Sequence, residues 1–338
     1  MQYDVNNFDF ICVSGYGRTG SSACIDLLKE FEFVGGPNKE FRIAKDPNGL
    51  IDLESSLIDN WELIRHNTAI NDFLEYCSML SRKDGTLKKA GKNFSQILNV
   101  DFTKESAEYI ERITDFMYLG DTMISRYHLN ALQSFKQRLR SKFDLSNTTP
   151  MYFSHPDEEK FLIETRRYLK RLFENYAVNK NIHKVVLNQA IPPTNINKAL
   201  KYFNNGKLII IDRDPRDIYA TMLKEESFLG ADVISNDSVH KYIKWHRYTR
   251  KQVAHGTDST FMQDKVLRLN LEDLFLNYNE TIGRIKEFLD IDFAHVDKGN
   301  KFKHKSTNDC VGIWRGVLDQ GTTLQIEKEL GEYCYNAL

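Results

Sequence analysis

Two kinds of hydrophobic patterning alternate along the chain. At its start, FDFICV (residues 8–13) is a continuous apolar run that breaks into Ser-Gly, the pattern of a parallel strand buried on both faces. Over residues 21–31 the period changes, and Ala23, Leu27, Leu28 and Phe31 fall on one helical face. The opening therefore predicts a strand, a glycine-rich loop and a helix. Continuous runs return as KVVL (184–187), KLIII (207–211) and VLRL (266–269). The second is followed by the polar turn DRDPRD and a helix from Ile218. A further helix over residues 281–289 turns Ile282, Ile285, Phe288 and Leu289 inward. Strands alternating with helices imply a parallel sheet covered on both faces, an α/β fold in three layers.

From about Leu50 to Asn181 the pattern is different: long, charged segments of helical period, clearest over residues 158–176, where Phe161, Tyr168, Leu169, Leu172, Phe173 and Tyr176 share a face. Sheet-like runs are scarce here. The expected organisation is one domain over 1–338, with a core of about 1–50 and 182–338 and a helical insertion of about 51–181. No repeat, low-complexity tract or flexible linker interrupts it.

Composition narrows the function classes. With 338 residues, 41% hydrophobic and 28% charged, the chain can bury a core for one large domain with an insertion. A net charge of −1 argues against a dedicated nucleic-acid binder, which would show a marked basic excess. It leaves room for a local basic pocket. The five cysteines (Cys12, Cys24, Cys77, Cys310, Cys334) are scattered without a CxxC pair, which suits a reducing compartment and gives no zinc spacing. None of the nine histidines joins an H-x-x-x-H or Cys/His group, so no metal is expected. No run of 18 apolar residues occurs, and the opening residues carry neither a secretory nor a transit pattern. A soluble, cytoplasmic protein without an integral membrane segment is expected, in which the sequon Asn147-Thr148-Thr149 carries little weight.

The loop SGYGRTGSS, Ser14 to Ser22, carries the first candidate chemistry. Set against G-x-x-x-x-G-K-[ST], Gly15, Gly20 and the final hydroxyl of Ser22 match, but Ser21 stands where the lysine belongs. Backbone N–H groups and a helix N-terminus can still wrap a phosphate, and the positive charge has moved to Arg18. With no convincing acidic magnesium partner on a neighbouring strand, the loop reads as a cradle for a smaller anion without a metal. A plain strand-to-helix turn would use the same glycines and serines but gives no reason for Arg18.

A second anion site is predicted at KLIIIDRDPRDIYATML (207–223). Arg213 and Arg216 stand just beyond an apolar strand, with Thr221 eight residues after Arg213, and ligands of open α/β sheets collect outside the carboxyl ends of strands. Arg216 reads better as an ion-pair partner of Asp212, Asp214 or Asp217; Arg213 reads as a ligand residue.

Together these motifs resemble the sulfotransferases that use 3′-phosphoadenosine 5′-phosphosulfate (PAPS). VLRLNLEDLFLNYNETIGRIKEFLDI (266–291) is similar to that family's V-x-Y-E-D-L stretch and following helix. KSTNDCVGIWRGVLDQ (305–320) is similar to its closing glycine–tryptophan–basic segment. The resemblance covers the first 50 residues and roughly 183–335, not the helical middle. It implies a P-loop-like fold in which Ser14, Gly15, Tyr16, Gly17, Arg18, Thr19, Gly20, Ser21 and Ser22 hold the 5′-phosphosulfate. Arg213 with Thr221 would clamp the 3′-phosphate, and Gly312, Trp314 and Arg315 would meet the nucleotide. Thr221 departs from the family's usual serine but keeps the hydroxyl.

For catalysis, the resemblance makes Arg18 the stabiliser of the transferring group. The cytosolic small-molecule branch uses a histidine base in a K-T-H-L-P-like stretch; the matching Asn188-Gln189-Ala190-Ile191-Pro192 has Ala190 there. The tyrosylprotein and heparan sulfate enzymes use a glutamate past the loop, and Glu40 stands at a similar distance from Arg18. Glu40 is thus the expected general base, against the plainer reading of a turn glutamate paired with Lys39 or Arg42; Glu30 and Glu32 belong to the helix end. The basic run KQRLRSK (136–142) and Arg166 with Arg167 read first as solvated helix faces, and Trp245, His246 and Arg247 as core or acceptor-cleft residues. The expected function is sulfuryl transfer from PAPS to a hydroxyl of a saccharide or glycolipid precursor, with the insertion capping the acceptor. The alternatives are a P-loop kinase or nucleotidase, and a non-catalytic nucleotide- or glycan-binding relative.

Overall fold

The computed structural model describes residues 8–85, 90–120, 131–142, 149–227, 238–257, 264–292, 294–295, 302 and 310–335. Residues 147–148 of the sequon and 305–309 of the closing segment lie outside the described residues. The chain divides into two compact units, 1–45 with 176–338, and 46–175.

The first unit is built on a sheet. The continuous apolar runs become β1 (Asp9–Gly15), β5 (Lys184–Asn188), β6 (Lys207–Asp212) and β7 (Val266–Asn270), joined at one edge by the two-residue β2 (Val34–Gly35). The order is β2-β5-β1-β6-β7 and every pairing is parallel, with Cys12 opposite Leu187 and Leu208. Both faces of the central strands are covered, which is why their sequences lack polar alternation. Ile11, Val13, Val186, Ile209 and Ile211 pack with residues of α1 (Ser21–Leu28), α11 (Leu271–Leu276) and α12 (Tyr278–Leu289). The alternate residues Phe10, Cys12, Leu208 and Ile210 are buried as well, and Phe10 meets Phe203 edge to face. A second cluster joins α9 (Pro215–Lys224), α10 (Ser238–Thr257) and α13 (Gln320–Leu330).

Several boundaries differ from those the periodicity predicts, two of them for clear local reasons. Helix α1 stops at Leu28 rather than near Phe31. The N–H groups of Glu30 and Phe31 turn back to the carbonyls of Leu27 and Leu28, and Phe33 is left-handed at φ 57. Helix α9 starts at Pro215, three residues before Ile218. Asp214 caps it by accepting from the Arg216 N–H at 2.8 Å, and proline suits the first helical position.

The second unit is mostly helical. It holds α2 (Leu50–Glu54), a π turn over Ser55–Asp59, α3 (Leu63–Ser81), α4 (Phe94–Leu98), α5 (Phe102–Ile113), α6 (Ala131–Lys142) and most of α7 (Glu158–Lys180). Its core is aromatic: Tyr109 and Tyr168 stack at 4.7 Å, and their hydroxyls bond Thr165 and Ser106. An antiparallel ribbon of β3 (Phe116–Gly120) and β4 (Thr149–Phe153) was not expected from the sequence. FMYLG does not alternate apolar with polar residues, so nothing in it carries the usual signal of a half-buried strand. The remaining helix, α8 (Ile196–Ala199), belongs to the first unit.

Candidate active site

At the carboxyl end of β1 the chain turns through three left-handed residues, Gly17 (φ 92), Arg18 (φ 56) and Gly20 (φ 87). A side chain at Gly20 would stand 2.4 Å from a Leu271 methyl, whereas one at Gly17 would meet nothing within 4 Å. The loop is therefore close-packed beneath and open above. Ser14 donates to the Ile191 carbonyl at 2.6 Å, and Ser21 accepts from Gln189 at 3.1 Å. Among the described residues no side chain caps α1, whose N-cap is Gly20, so its first N–H groups can serve an anion. Arg18 reaches Glu225 at 2.8 Å and the Ser227 carbonyl at 3.1 Å.

The DRDPRD turn beyond β6 gives each charge a separate duty. Asp212 holds Arg250 at 2.8 Å, and that guanidinium lies 4.0 Å over the Tyr16 ring. Asp214 grips Arg216 at 2.5 Å, and Arg216 also reaches Glu327 at 2.7 Å and lies 4.3 Å from the Trp314 ring. Asp217 accepts the N–H groups of Gly312 (2.7 Å) and Trp314 (3.0 Å), fixing the closing segment to α9. Burial pushes the Asp217 carboxyl up, against the pull of those two N–H groups. Glu272 sits beneath and accepts the Asp214 N–H at 2.9 Å; burial pushes it up to about 7.

Arg213 is treated differently. Its guanidinium donates to the Arg18 carbonyl (3.0 Å), to Thr221 Oγ1 (3.0 Å) and to the Cys310 carbonyl (2.7 Å). It is only 6% exposed, and its Nε has no hydrogen-bond partner among the described residues. A buried cation bonded only to neutral oxygens retains attraction for an anion. The Thr221 hydroxyl donates to the Asp217 carbonyl at 2.8 Å, so toward Arg213 it acts as acceptor. The bond to the Arg18 carbonyl brings loop and turn together in one place.

A cleft of about 420 Å³ opens above the loop, with Gly17, Arg18, Glu40, Lys45, Gln189 and Trp245 among its walls. Glu40 thus shares a cavity with the glycine loop, and it pairs with Arg42 at 3.3 Å. Glu30 is fully buried against His295 and the Phe302 N–H, and Glu32 is exposed. Trp245 both packs with the α9–α10–α13 cluster and lines the cleft. His246 is buried among Tyr242, Trp245 and Tyr333, where burial pushes it down to about 2. It stays neutral there. Arg247 turns to Glu329.

Sequence reasoning missed Gln189 and Lys45. The expected comparison fell on Ala190, which is fully buried, while left-handed Gln189 (φ 59) faces the cleft and accepts from Lys45 at 2.5 Å. A polar residue directly after a buried strand was the available signal. The carboxylates Asp217 and Glu272 were visible in their motifs, but their roles as braces depend on long-range contacts. Gly312 is left-handed (φ 70), and Arg315 reaches the Trp314 ring at 5.0 Å.

A profile described as the sulfotransferase family matches residues 11–295. The chain belongs to the sulfotransferase family. No curated protein matches it. Among solved structures it is similar to the sulfotransferase domain from the Synechococcus PCC 7002 olefin synthase, at 12% identity over 98% of each chain and a TM-score of 0.45. It is similar to the sulfotransferase domain from the curacin biosynthetic pathway at 12% identity, over 96% of this chain and 98% of that one, TM-score 0.46. Retinol dehydratase in a complex with retinol and PAP is 14% identical over 96% of this chain and 80% of that one, TM-score 0.36. As a sulfotransferase the chain is an enzyme of sulfuryl transfer on an α/β fold. Among the described residues, no helix is long and apolar enough to cross a membrane.

Proposed function

We propose that this sulfotransferase takes its sulfuryl group from PAPS and transfers it to a hydroxyl of a saccharide or glycolipid precursor, with Glu40 as general base. The observation that carries the donor assignment is Arg213: buried, tied directly to the glycine loop and, among the described residues, bonded to no carboxylate and with an unpartnered Nε. Such a group suits the 3′-phosphate, while the open side of Gly17 and the uncapped helix suit the 5′ end. Gly312, Trp314 and Arg315 would complete the nucleotide site. PAPS supplies an electrophilic sulfur whose leaving group is adenosine 3′,5′-bisphosphate (PAP).

Glu40 accepts the proton of the acceptor hydroxyl as the acceptor oxygen bonds to sulfur and the sulfur–phosphate oxygen bond breaks. Arg18, with Ser21 and Ser22, stabilises charge on the sulfuryl oxygens. Its guanidinium must first exchange Glu225 for that anion. The saccharide class rests on the glutamate-type base together with the cytoplasmic address, that address on the scattered cysteines, and acceptor selection falls to the helical unit 46–175.

Labelled PAPS incubated with the enzyme and host extract gives a labelled saccharide product under this reading. Glu40→Gln abolishes transfer while calorimetry finds PAP binding nearly intact. Retained turnover in that variant removes Glu40 from the mechanism, and preference for ATP–Mg²⁺ over PAP removes the donor assignment.

A further inference from the structure

Seven of the fifteen large hydrophobic side chains that stand exposed among the described residues fall within residues 116–139. Four belong to β3, where Phe116, Met117, Tyr118 and Leu119 are consecutive and all exposed, Leu119 at 71%. Consecutive exposure means that both faces of the strand are uncovered, since side chains alternate across it. The other three, Leu132 (69%), Phe135 (62%) and Leu139, stand on α6 at spacings of three and four, so they share one helix face. Gly120 pairs with Thr149 at one end of the ribbon, and α6 lies between β3 and β4 in sequence.

The helix sequence is ALQSFKQRLRSK, with four basic residues and no acidic one. Arg138 and Lys142 are exposed beside the apolar face. This charge is concentrated in a chain whose net charge is −1, so it does not follow from overall composition. A second copy of the helix would set like charges against each other. An apolar protein groove would take Leu132, Phe135 and Leu139 but would leave the basic residues without purpose. An apolar stripe flanked by lysine and arginine fits an interface where anionic headgroups overlie hydrocarbon, the arrangement of helices that lie in a bilayer surface.

We propose that the β3–β4 ribbon and α6 form a docking surface for an anionic lipid bilayer. The helix is twelve residues long, too short to span and long enough to lie in the headgroup plane. Docking there would concentrate the enzyme where a lipid-linked hydroxyl acceptor is found. The proposal is independent of the donor and of Glu40.

The test is co-sedimentation of the full chain with vesicles of phosphatidylcholine alone or mixed with phosphatidylglycerol. The wild type is expected to pellet with the mixed vesicles and to be released by salt. The triple change Leu132→Ser, Phe135→Ser and Leu139→Ser, and separately Arg138→Glu with Lys142→Glu, should each weaken binding by about tenfold or more. All these positions are exposed, so the unfolding midpoint should not move, which guards against a folding artefact. Equal pelleting with both vesicle types, or with neither, overturns the proposal. So does a concentration-dependent dimer that the apolar triple variant abolishes, which would give the surface to a second copy.

Discussion

The glycine loop at residues 14–22 and the turn at residues 212–217 follow neighbouring parallel strands, β1 and β6, yet they are made of different material. The loop is a backbone device: three left-handed residues, an uncapped helix start and one charged side chain. The turn is a side-chain device, in which Asp212, Asp214, Asp217 and Glu272 divide the neighbouring cations and N–H groups and leave Arg213 bonded to no carboxylate among the described residues. Shape should therefore dominate mutational effects in the loop, and charge those in the turn.

The sharpest way to break that comparison is at the glycines. Gly20→Ala combines a left-handed backbone with a contact of 2.4 Å to Leu271, and should lower stability by about 4 kcal/mol, from strain and overpacking together. Gly17→Ala carries the strain alone, because its space is open, and should cost about 1 kcal/mol. Urea unfolding of both variants measures the difference; equal losses would show that steric fit to Leu271 does not set the loop.

The turn is next probed by pH. Burial holds Glu272 at about 7 against an ordinary 4.5. Between these values the folded protein keeps a proton that the unfolded chain releases, so the unfolded state binds fewer protons and stability falls as pH rises. Above about 7 the contribution is flat, at a cost on the order of 3 kcal/mol. Glu272→Gln should remove that fall, read as the difference from wild type in unfolding free energy across the window. Asp217, also raised, shifts the baseline in the same direction but is common to both proteins.

How much of this could be read in the sequence follows the same division. The core strands and the two anion motifs were legible because burial on both faces leaves uninterrupted apolar runs, and because glycines and arginines beyond a strand are local signals. Arg216 was legible as an ion-pair partner, since Asp214 is two residues away. Gln189 was not: its left-handed φ and its bonds to Lys45 and Ser21 depend on chain brought from far along the sequence. The β3–β4 ribbon escaped because an uncovered strand has no reason to alternate.

Arg213 tests the turn with the proposed ligand. Charge-assisted hydrogen bonds are worth about 1.5–3 kcal/mol, so Arg213→Ala should weaken PAP by roughly 10- to 100-fold. Binding of adenosine 5′-monophosphate, which lacks the 3′ group, should change little. An equal loss for both ligands would mean that Arg213 acts only by tying down the loop through the Arg18 carbonyl.

The smallest effect sharpens the loop's single charge. Glu225 is 54% exposed on its side chain and reaches Arg18 at 2.8 Å, so an anionic ligand must displace it. Solvent screening keeps such a pair weak. Glu225→Gln should therefore tighten PAP by only about two- to fivefold, and the gain should shrink as salt rises. Calorimetric titration at two ionic strengths resolves it. Weaker binding would reverse the assignment: Glu225 would then hold Arg18 in its left-handed, ligand-ready position rather than compete for it.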